Sequence, residues 1–203
     1  MQGYLIQGTF REDGNAIDLN PDSLIEIATP VQIFNAAYET LVASDGKILA
    51  LFEANGHALN PQPIALLIDP LDGTASGVDA DNFEYRFTDA AEVDSSGYFW
   101  VLNIFMPIEF WYYTNFDPIG EQYGLGKTHQ ENNHVERLLE LKYNDGRIIP
   151  SGKTPVYIEL DDDFKSRNWE ALVRLDERGF LAMTDTYPGT ILAYIPFPEQ
   201  QTP

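Results

Sequence analysis

The sequence has no cysteine and only three histidines among its 203 residues. Without cysteine there is no disulfide, no thiolate zinc site and no cysteine nucleophile. A G-x-S-x-G nucleophile elbow is also missing, which argues against an ordinary esterase of the α/β-hydrolase type. Several enzyme classes are therefore excluded before any pattern is considered.

Basic residues are scarce, with 12 Lys and Arg against 32 Asp and Glu, for a net charge of −20. Nucleic acids and anionic membrane surfaces are held by basic patches, so we predict that neither is a partner. Cations are the natural complement of such a chain. The excess carboxylates could serve solubility or could include oxygen ligands for Ca²⁺, and the sequence favours neither; Ca²⁺ is the one candidate cofactor.

Long hydrophobic runs are also lacking, so the sequence predicts no membrane insertion. The first residues have neither the basic start nor the apolar segment of a secretory signal. Localisation is therefore undetermined. It would be extracytoplasmic, periplasmic or secreted, if a signal lies upstream in a longer protein.

Strand signals dominate the chain, because short apolar runs alternate with Asp-Gly, Ser-Gly, Asn-Gly and Pro turns. With 44% hydrophobic residues the chain can bury a substantial core, and we predict an all-β protein. The predicted strands are 3–10, 23–28, 36–43, 48–53, 63–68, 82–87, 89–94, 98–104, 134–142, 154–160, 169–175, 179–185 and 190–196. The segment 135–143 would also suit a helix, but the Asn-Asp-Gly-Arg that follows favours a hairpin.

One plan occurs three times: an acidic residue enters a short apolar strand, a turn follows, and a second strand ends in a polar or acidic residue. The three segments are 35–53, 88–105 and 167–187. Repeated hairpins of this kind are typical of blades set around an axis. We therefore predict a single β-propeller-like domain over residues 1–203, with three to four blades.

Residues 106–133 do not follow this pattern of strands and turns and are predicted to form a long insertion loop. Loops of this length in a compact domain are often functional, so the segment is predicted to be a lid or a pocket wall. The alternative is that its aromatic residues, Phe110 to Tyr113, simply plug the core.

The repeated acids fall at the open ends of the predicted hairpins. Simple pairing places Glu39 beside Phe52, leaves Glu53 at the same end, and sets Glu170 opposite Asp185. In the second hairpin the corresponding residues would be Glu92 and Asn103. Equivalent strands of a propeller converge on its central channel, so these six residues are the predicted ligands of a metal ion.

Converging carboxylates repel one another. The sequence leaves open three ways of offsetting this repulsion: a bound cation, protonation of one acid, or nearby basic partners. Arg137 and Arg167 are the predicted partners or ligand-binding residues. His129 is a further candidate, because it lies near Glu131, His134 and Glu136, although the spacing is not that of a zinc protease. A plain polar lining of the channel remains the alternative.

Three segments resemble blades of the esterase-like domain of phytase family, bacterial propeller proteins: 35–53, 135–141 and 167–197. That family's pattern has Asn, a variable residue, Glu-Gly-Leu, then a strand and turn, then a strand ending in Ser or Thr with Asp. The residues that match it are Asn168, Glu170, Leu172, Thr184 and Asp185, and in the first segment Glu39 and Leu41. Ala171 and Thr40 replace the usual Gly. The resemblance covers about two thirds of the chain.

The resemblance implies ester or phosphoester hydrolysis, but members of the family are typically longer. The chain would then be a fragment of a longer propeller, a compact four-bladed form, or a half that completes itself as a homodimer. We favour a binding or scaffold module for a small molecule or metal cation. The alternatives are a Ca²⁺-dependent, phytase-like phosphoester hydrolase and a purely structural array of blades.

Overall fold

The fold is seen in a computed structural model that describes residues 3–109, 113–114, 116–185 and 189–197. The described residues are almost entirely strands and turns, which confirms the prediction of an all-β protein. Three consecutive antiparallel meanders and one hairpin make up the chain.

The hairpin consists of β1 (Gly3–Phe10) and β2 (Ile17–Ile27), which are antiparallel. Its base packs Leu5, Ile25 and Ile27 against the first meander. Its distal half projects from the rest of the protein, and the residues of that half are exposed.

The first meander has the strands β3 (Tyr38–Ser44), β4 (Lys47–Phe52), β5 (Ile64–Ile68) and β6 (Ala75–Ala80). Asp45 and Gly46 form its first turn and both have positive φ, 48° and 76°. Such a turn matches the twist of a tight hairpin, and this is why the Asp-Gly pair was a reliable signal.

The second meander has the strands β7 (Arg86–Ala90), β8 (Tyr98–Phe105), β9 (Val135–Asn144) and β10 (Arg147–Pro150). A short strand, β11 (Val156–Tyr157), pairs with Arg137 and Leu138 on the same edge of β9 as β10. The segment that also suited a helix is therefore a strand, as predicted, and Asp145-Gly146 makes the turn that follows it.

The third meander has β12 (Trp169–Leu175), β13 (Gly179–Thr184) and β14 (Leu192–Pro196). It is attached to the second meander through the Leu172 N–H, which donates to Asp89 Oδ2 at 2.7 Å. Its buried face joins a hydrophobic cluster with β8 and β9.

The first and second meanders belong to one nine-stranded sheet, because β10 pairs in parallel with β6. At the other end of this sheet β3 lies beside β7, and an isolated bridge joins Ala54 to Arg86. The sheet is therefore nearly closed and barrel-like.

The insertion 106–133 is not a featureless loop. It holds two 3₁₀ turns, Pro107–Glu109 and Lys127–His129, and the helix α1 (Pro118–Tyr123). Asp117 caps α1 by accepting the Ile119 N–H at 3.1 Å, and Pro118 occupies the first turn, where its missing N–H costs nothing. No helix within the described ranges has the length and apolarity needed to cross a membrane.

Of the aromatic residues in the insertion that were expected to plug the core, Phe110 to Tyr112 lie outside the described residues. Tyr113 is buried and packs with Tyr85, Phe105 and Val135. Tyr113 therefore packs in the core, which is what the alternative interpretation of these aromatic residues predicted.

Candidate functional site

The acids Glu39 and Glu170 lie at equivalent irregularities of the first and third meanders. In β3 the register steps from Tyr38 to Thr40, and in β12 it steps from Trp169 to Ala171. Each strand therefore carries a bulge at its glutamate, which faces no single partner on the neighbouring strand.

The bulges correct the predicted pairing. Phe52 pairs with Tyr38 and not with Glu39. Asp185 donates its backbone N–H to Asn168 O at 2.9 Å, so it is not opposite Glu170. A bulge sets two residues against one, which shifts the register by one position beyond it.

The second hairpin differs from the prediction more strongly. Glu92 follows the end of β7 on the way to the turn at Asp94–Gly97, so it lies at the opposite end of the hairpin from Arg86. Asn103 pairs with Phe87 and is fully buried. Its side chain donates to Glu84 O and Arg86 O, at 3.2 and 3.3 Å. Asn103 therefore has a structural role and does not replace an acid at the predicted metal site.

Arg86 occupies the place where the three meanders meet. It donates to Glu53 Oε1 of the first meander at 2.9 Å and to Asn168 Oδ1 of the third at 2.8 Å. Its Nε lies 2.9 Å from Glu109 Oε1, but the alignment is too poor for a hydrogen bond. One arginine on β7 thus links three parts of the fold.

Four glutamates surround this single arginine: Glu39, Glu53, Glu109 and Glu170. Burial raises the pKa of Glu53 to about 7, with a further increase from Glu39 that the charge of Arg86 only partly offsets. Burial likewise raises the pKa of Glu170 to about 7. Arg86 is therefore the basic partner that the sequence left open, and the raised pKa values of Glu53 and Glu170 favour protonation as a second way of offsetting the repulsion.

The pKa values of the other two acids, Glu109 and Glu39, are raised as well. Desolvation raises the pKa of Glu109, against the charge of Arg86. Glu39 reaches solvent, and desolvation by the surrounding protein still raises its pKa. With four acids and one arginine, the group carries excess negative charge whenever Glu53 and Glu170 are ionised.

Glu53 also lines a cavity of about 130 Å³. Arg86, Glu109 and Tyr113 contribute to its wall, together with apolar side chains from two segments. Those apolar residues are Ile33, Ala36, Ala54 and Leu59. The cavity combines a carboxylate side with an apolar side.

One oxygen of this carboxylate has no partner among the described residues. Glu53 is 3% exposed, and its Oε2 accepts no hydrogen bond from any described residue, while Oε1 is held by Arg86. The hydroxyls of Thr40 and Thr88 are also buried without a partner in that part of the chain. A buried polar atom left unpaired costs free energy, so an unsatisfied carboxylate oxygen in a cavity wall is a place for a donor.

Arg137 and Arg167, predicted to bind a ligand, have other partners. Arg137 is fully buried and donates to both oxygens of Asp117, at 2.6 and 2.9 Å, and to Asn103 Oδ1 at 2.8 Å. Arg167 forms an ion pair with the fully buried Glu136 at 2.6 Å. Both guanidinium groups are engaged in the fold.

His129, the further ligand candidate, is buried, with 2% exposure. Its Nε2 accepts the Glu136 N–H at 3.2 Å, and its Nδ1 lies 3.3 Å from Thr128 Oγ1. Burial, with the charge of Arg137, lowers its pKa to about 4. It is a neutral, structural histidine at physiological pH.

His134 and Ser166 are close together, but they do not form a nucleophile and base. His134 Nδ1 lies 2.8 Å from Ser166 Oγ and also accepts the Ser166 N–H at 2.8 Å. The Ser166 hydroxyl donates to Phe105 O at 2.6 Å and is buried. Its proton is therefore directed away from the histidine.

Metal ligation was the predicted role of six residues, and the geometry brings only some of them together. Glu39, Glu53 and Glu170 interact electrostatically around Arg86, and Asp185 contributes to the field at Glu170. Within the described ranges, however, no three His, Asp or Glu side chains are arranged to hold one metal ion.

Replacing Glu53 by glutamine should flatten the dependence of stability on pH. The folded pKa, about 7, exceeds the ordinary 4.5, so the folded state holds the proton more tightly than the unfolded chain. Wild-type stability should therefore fall as pH rises from about 4.5 to 7, by on the order of 1 to 3 kcal/mol from this group. Glu53→Gln should lack this loss.

The measurement is urea unfolding at pH 5 and pH 8, and the difference between the two values is compared with wild type. Glu177→Gln is the control, because the Glu177 side chain is 91% exposed at a hairpin tip. An identical difference in wild type and Glu53→Gln would show that Glu53 titrates normally.

Arg86 and Glu109 were missed by the sequence reasoning. A signal for Arg86 was present, because it is the only lysine or arginine in the sequence between Lys47 and Lys127. A single arginine entering an apolar strand in such an acidic stretch indicates a buried charge partner. Glu109 had no comparable signal, since it comes close to Arg86 only through the turn Pro107–Glu109.

No protein-family model matches the chain, and no curated protein matches it in sequence. The resemblance to the esterase-like phytase propellers therefore remains a prediction from residues 35–53, 135–141 and 167–197.

Proposed function

We propose that the protein is a binding module of the β-propeller type, and that the acids around Arg86 bind a cationic group. The three meanders would be blades. Their first strands, β3, β7 and β12, lie near one another, and Arg86 on β7 binds Glu53 and Asn168 from the other two meanders. This inner convergence is what equivalent strands of a propeller produce.

The observation that carries the proposal is Glu53 Oε2, which lies in the wall of the cavity and has no hydrogen-bond partner among the described residues. A cation that donates a hydrogen bond would satisfy this oxygen and would offset the negative charge of the surrounding glutamates. Because the proton and the cation stabilise the same carboxylate, they should compete for it.

The size and lining of the cavity favour a small organic ammonium. A volume of about 130 Å³ exceeds that of one water, and the apolar wall suits an alkyl group. Tyr113 offers an aromatic ring on the same wall. Ca²⁺ fits less well, since it needs several oxygen ligands converging on one point.

The phosphoester hydrolase is not favoured by the same geometry. Arg137 and Arg167 would have to release Asp117 and Glu136 before they could clamp a phosphate. The remaining acids around Arg86 would repel one. We therefore propose binding without hydrolysis.

The proposal is tested by calorimetric titration of the protein with methylammonium and, separately, with Ca²⁺. At pH 8.5 methylammonium should bind saturably, and at pH 5.5 its affinity should fall by about tenfold or more, because Glu53 and Glu170 take up protons near pH 7. Glu53→Gln should abolish the binding at both pH values.

Glu177→Gln is the matched control and should bind as wild type does, because its carboxylate is exposed and distant in the fold from Arg86. Binding of Ca²⁺ alone would replace the proposed ligand class with a metal ion. Binding of neither probe at pH 8.5, or binding that Glu53→Gln leaves intact, would refute the site.

A further inference from the structure

Among the described residues, the cavity beside Arg86 offers a cation a single free carboxylate oxygen. Two carboxylates lie in its wall. Glu53 binds Arg86 through Oε1 at 2.9 Å, and its Oε2 has no partner in the described part of the chain. Both oxygens of Glu109 are engaged, because Oε2 accepts the Met106 N–H at 3.0 Å and Oε1 lies 2.9 Å from Arg86 Nε. Glu53 Oε2 is thus the acceptor that a ligand has to satisfy.

The number of N–H groups on the ligand should match this single oxygen. A primary ammonium has three N–H groups, and two of them would lose their hydrogen bonds to water without gaining this acceptor, which costs free energy. A tertiary ammonium has one N–H, which Glu53 Oε2 can accept. A quaternary ammonium has none and would leave the oxygen unpaired.

The apolar part of the wall suits methyl groups. Ile33 and Leu59 are half-buried, and they pack against the buried Ala36 and Ala54. An N–H group finds no acceptor on such a surface, whereas a methyl group gains free energy by leaving water for it. The side chain of Asn35, also at the cavity, is exposed, so water can satisfy it.

One aromatic ring of the wall is fixed in place. Tyr113 is buried, and its ring meets those of Tyr85 and Phe105 edge-on, with centroids 5.9 and 5.8 Å apart. Burial, together with the charges of Glu109 and Glu53, raises the pKa of Tyr113 well above its ordinary value. Tyr113 therefore stays a neutral phenol, and its ring can attract a methylated cation.

A second aromatic ring, that of Phe34, is available at the cavity. Phe34 contributes to its lining and is 92% exposed. Exposed side chains change rotamer within picoseconds to nanoseconds, so this ring can turn toward a ligand without a change in the backbone. Covering the methyl groups of a ligand would also remove part of the ring from water.

We propose that the ligand is a tertiary ammonium with methyl groups, of which trimethylammonium is the simplest. Its one N–H donates to Glu53 Oε2, its methyl groups contact the apolar wall and Tyr113, and Phe34 covers its open side. A cavity of about 130 Å³ has room for the four non-hydrogen atoms of such a group, at about 30 Å³ each. This ligand class rests on the proposed function, since it narrows the same cation site from ammonium ions in general.

The experiment is calorimetric titration of the full chain at pH 8.5 with methylammonium, trimethylammonium and tetramethylammonium in turn. The two amines are mostly protonated at this pH, as lysine is. Trimethylammonium should bind about tenfold more tightly than methylammonium, and tetramethylammonium about tenfold or more weakly than trimethylammonium. If methyl contacts alone decided the affinity, tetramethylammonium would bind most tightly of the three.

Phe34→Ala should weaken the binding of trimethylammonium about fivefold and that of methylammonium less, because it removes the ring that covers the methyl groups. The exposure of Phe34 means that folding should be unaffected. Phe10→Ala is the matched control, since Phe10 is 72% exposed on β1 and does not line the cavity. It should bind all three cations as wild type does.

The possible outcomes separate the ligand class from the site itself. Methylammonium that binds at least as tightly as trimethylammonium would overturn the tertiary class and leave the proposed function standing. Tetramethylammonium that binds as tightly as trimethylammonium would show that the N–H contributes nothing, which also overturns the class. If none of the three cations binds, the cation site fails and the ligand class fails with it. Equal affinities of Phe34→Ala and Phe10→Ala would overturn the role of Phe34.

Discussion

Replacing Arg137 by methionine should lower the free energy of unfolding by about 3 to 5 kcal/mol. Arg137 is fully buried, and its guanidinium donates to Asp117, Asn103 and Tyr157. Methionine retains much of the hydrophobic stem, but it leaves the Asp117 carboxylate without its charge partner. The loss should be seen as a lower midpoint of urea unfolding with an unchanged slope.

Arg147→Met provides the matched control. The Arg147 side chain is 61% exposed, and its ion pair with Asp81 at 2.6 Å lies at the surface. Exposed pairs of this kind contribute about 0 to 1 kcal/mol. If Arg137→Met cost no more than Arg147→Met, the buried ion pair would not be a main support of the fold.

Trp169→Ala should cost about 3 to 5 kcal/mol, because it removes the largest fully buried side chain of the third meander. The indole packs in the cluster that includes Leu172 and Phe180, and it holds that meander against β8 and β9. Its Nε1 also donates to Glu136 Oε2 at 2.9 Å. Both contributions are lost in the alanine variant.

Trp169→Phe separates the two contributions. Phenylalanine keeps most of the apolar contact and loses the hydrogen bond to Glu136, so we expect a cost of about 1 to 3 kcal/mol. Urea unfolding followed by circular dichroism measures both variants. Equal losses in the two variants would show that the hydrogen bond, and not the packing, accounts for the effect.

The strands that the sequence predicted well are those with strong turn signals beside them. Asp45-Gly46 and Asp145-Gly146 set tight turns, and apolar strands flank each of them. The strand β6 was missed, because its sequence ASGVDA has few residues that favour strands. It is held by pairing with β5 and β10, which no local pattern reveals.

The candidate site was predictable in part. The repeat indicated that Glu39, Glu53 and Glu170 would come near one another, and the three interact around Arg86. The register was wrong by one position, because a bulge depends on the backbone of both strands and not on one residue type. Glu92 was misplaced for a different reason: the first strand of its hairpin is Arg86–Ala90, so Glu92 follows the strand and does not open it.

The insertion 106–133 contained a helix signal that was overlooked. Asp117 followed by Pro118 is an N-cap followed by a residue suited to the first helical turn. The helix is six residues long, too short to show any periodicity. Its main consequence is that Asp117 is fixed beside Arg137, a contact between residues far apart in the sequence.

The parallel seam between β6 and β10 is the shortest connection on the main path of the nine-stranded sheet, from β3 to β7, with only two residue pairs, Arg147 with Asp79 and Ile148 with Ala80. Local opening should therefore begin there, and the amide hydrogens of this seam should exchange with solvent before those of β8 and β9. Arg86 lies away from this seam, where β3 and β7, the two ends of the main path of the sheet, come together. The β6–β10 seam can thus open locally while the contacts of Arg86 at the junction of β3 and β7 stay intact.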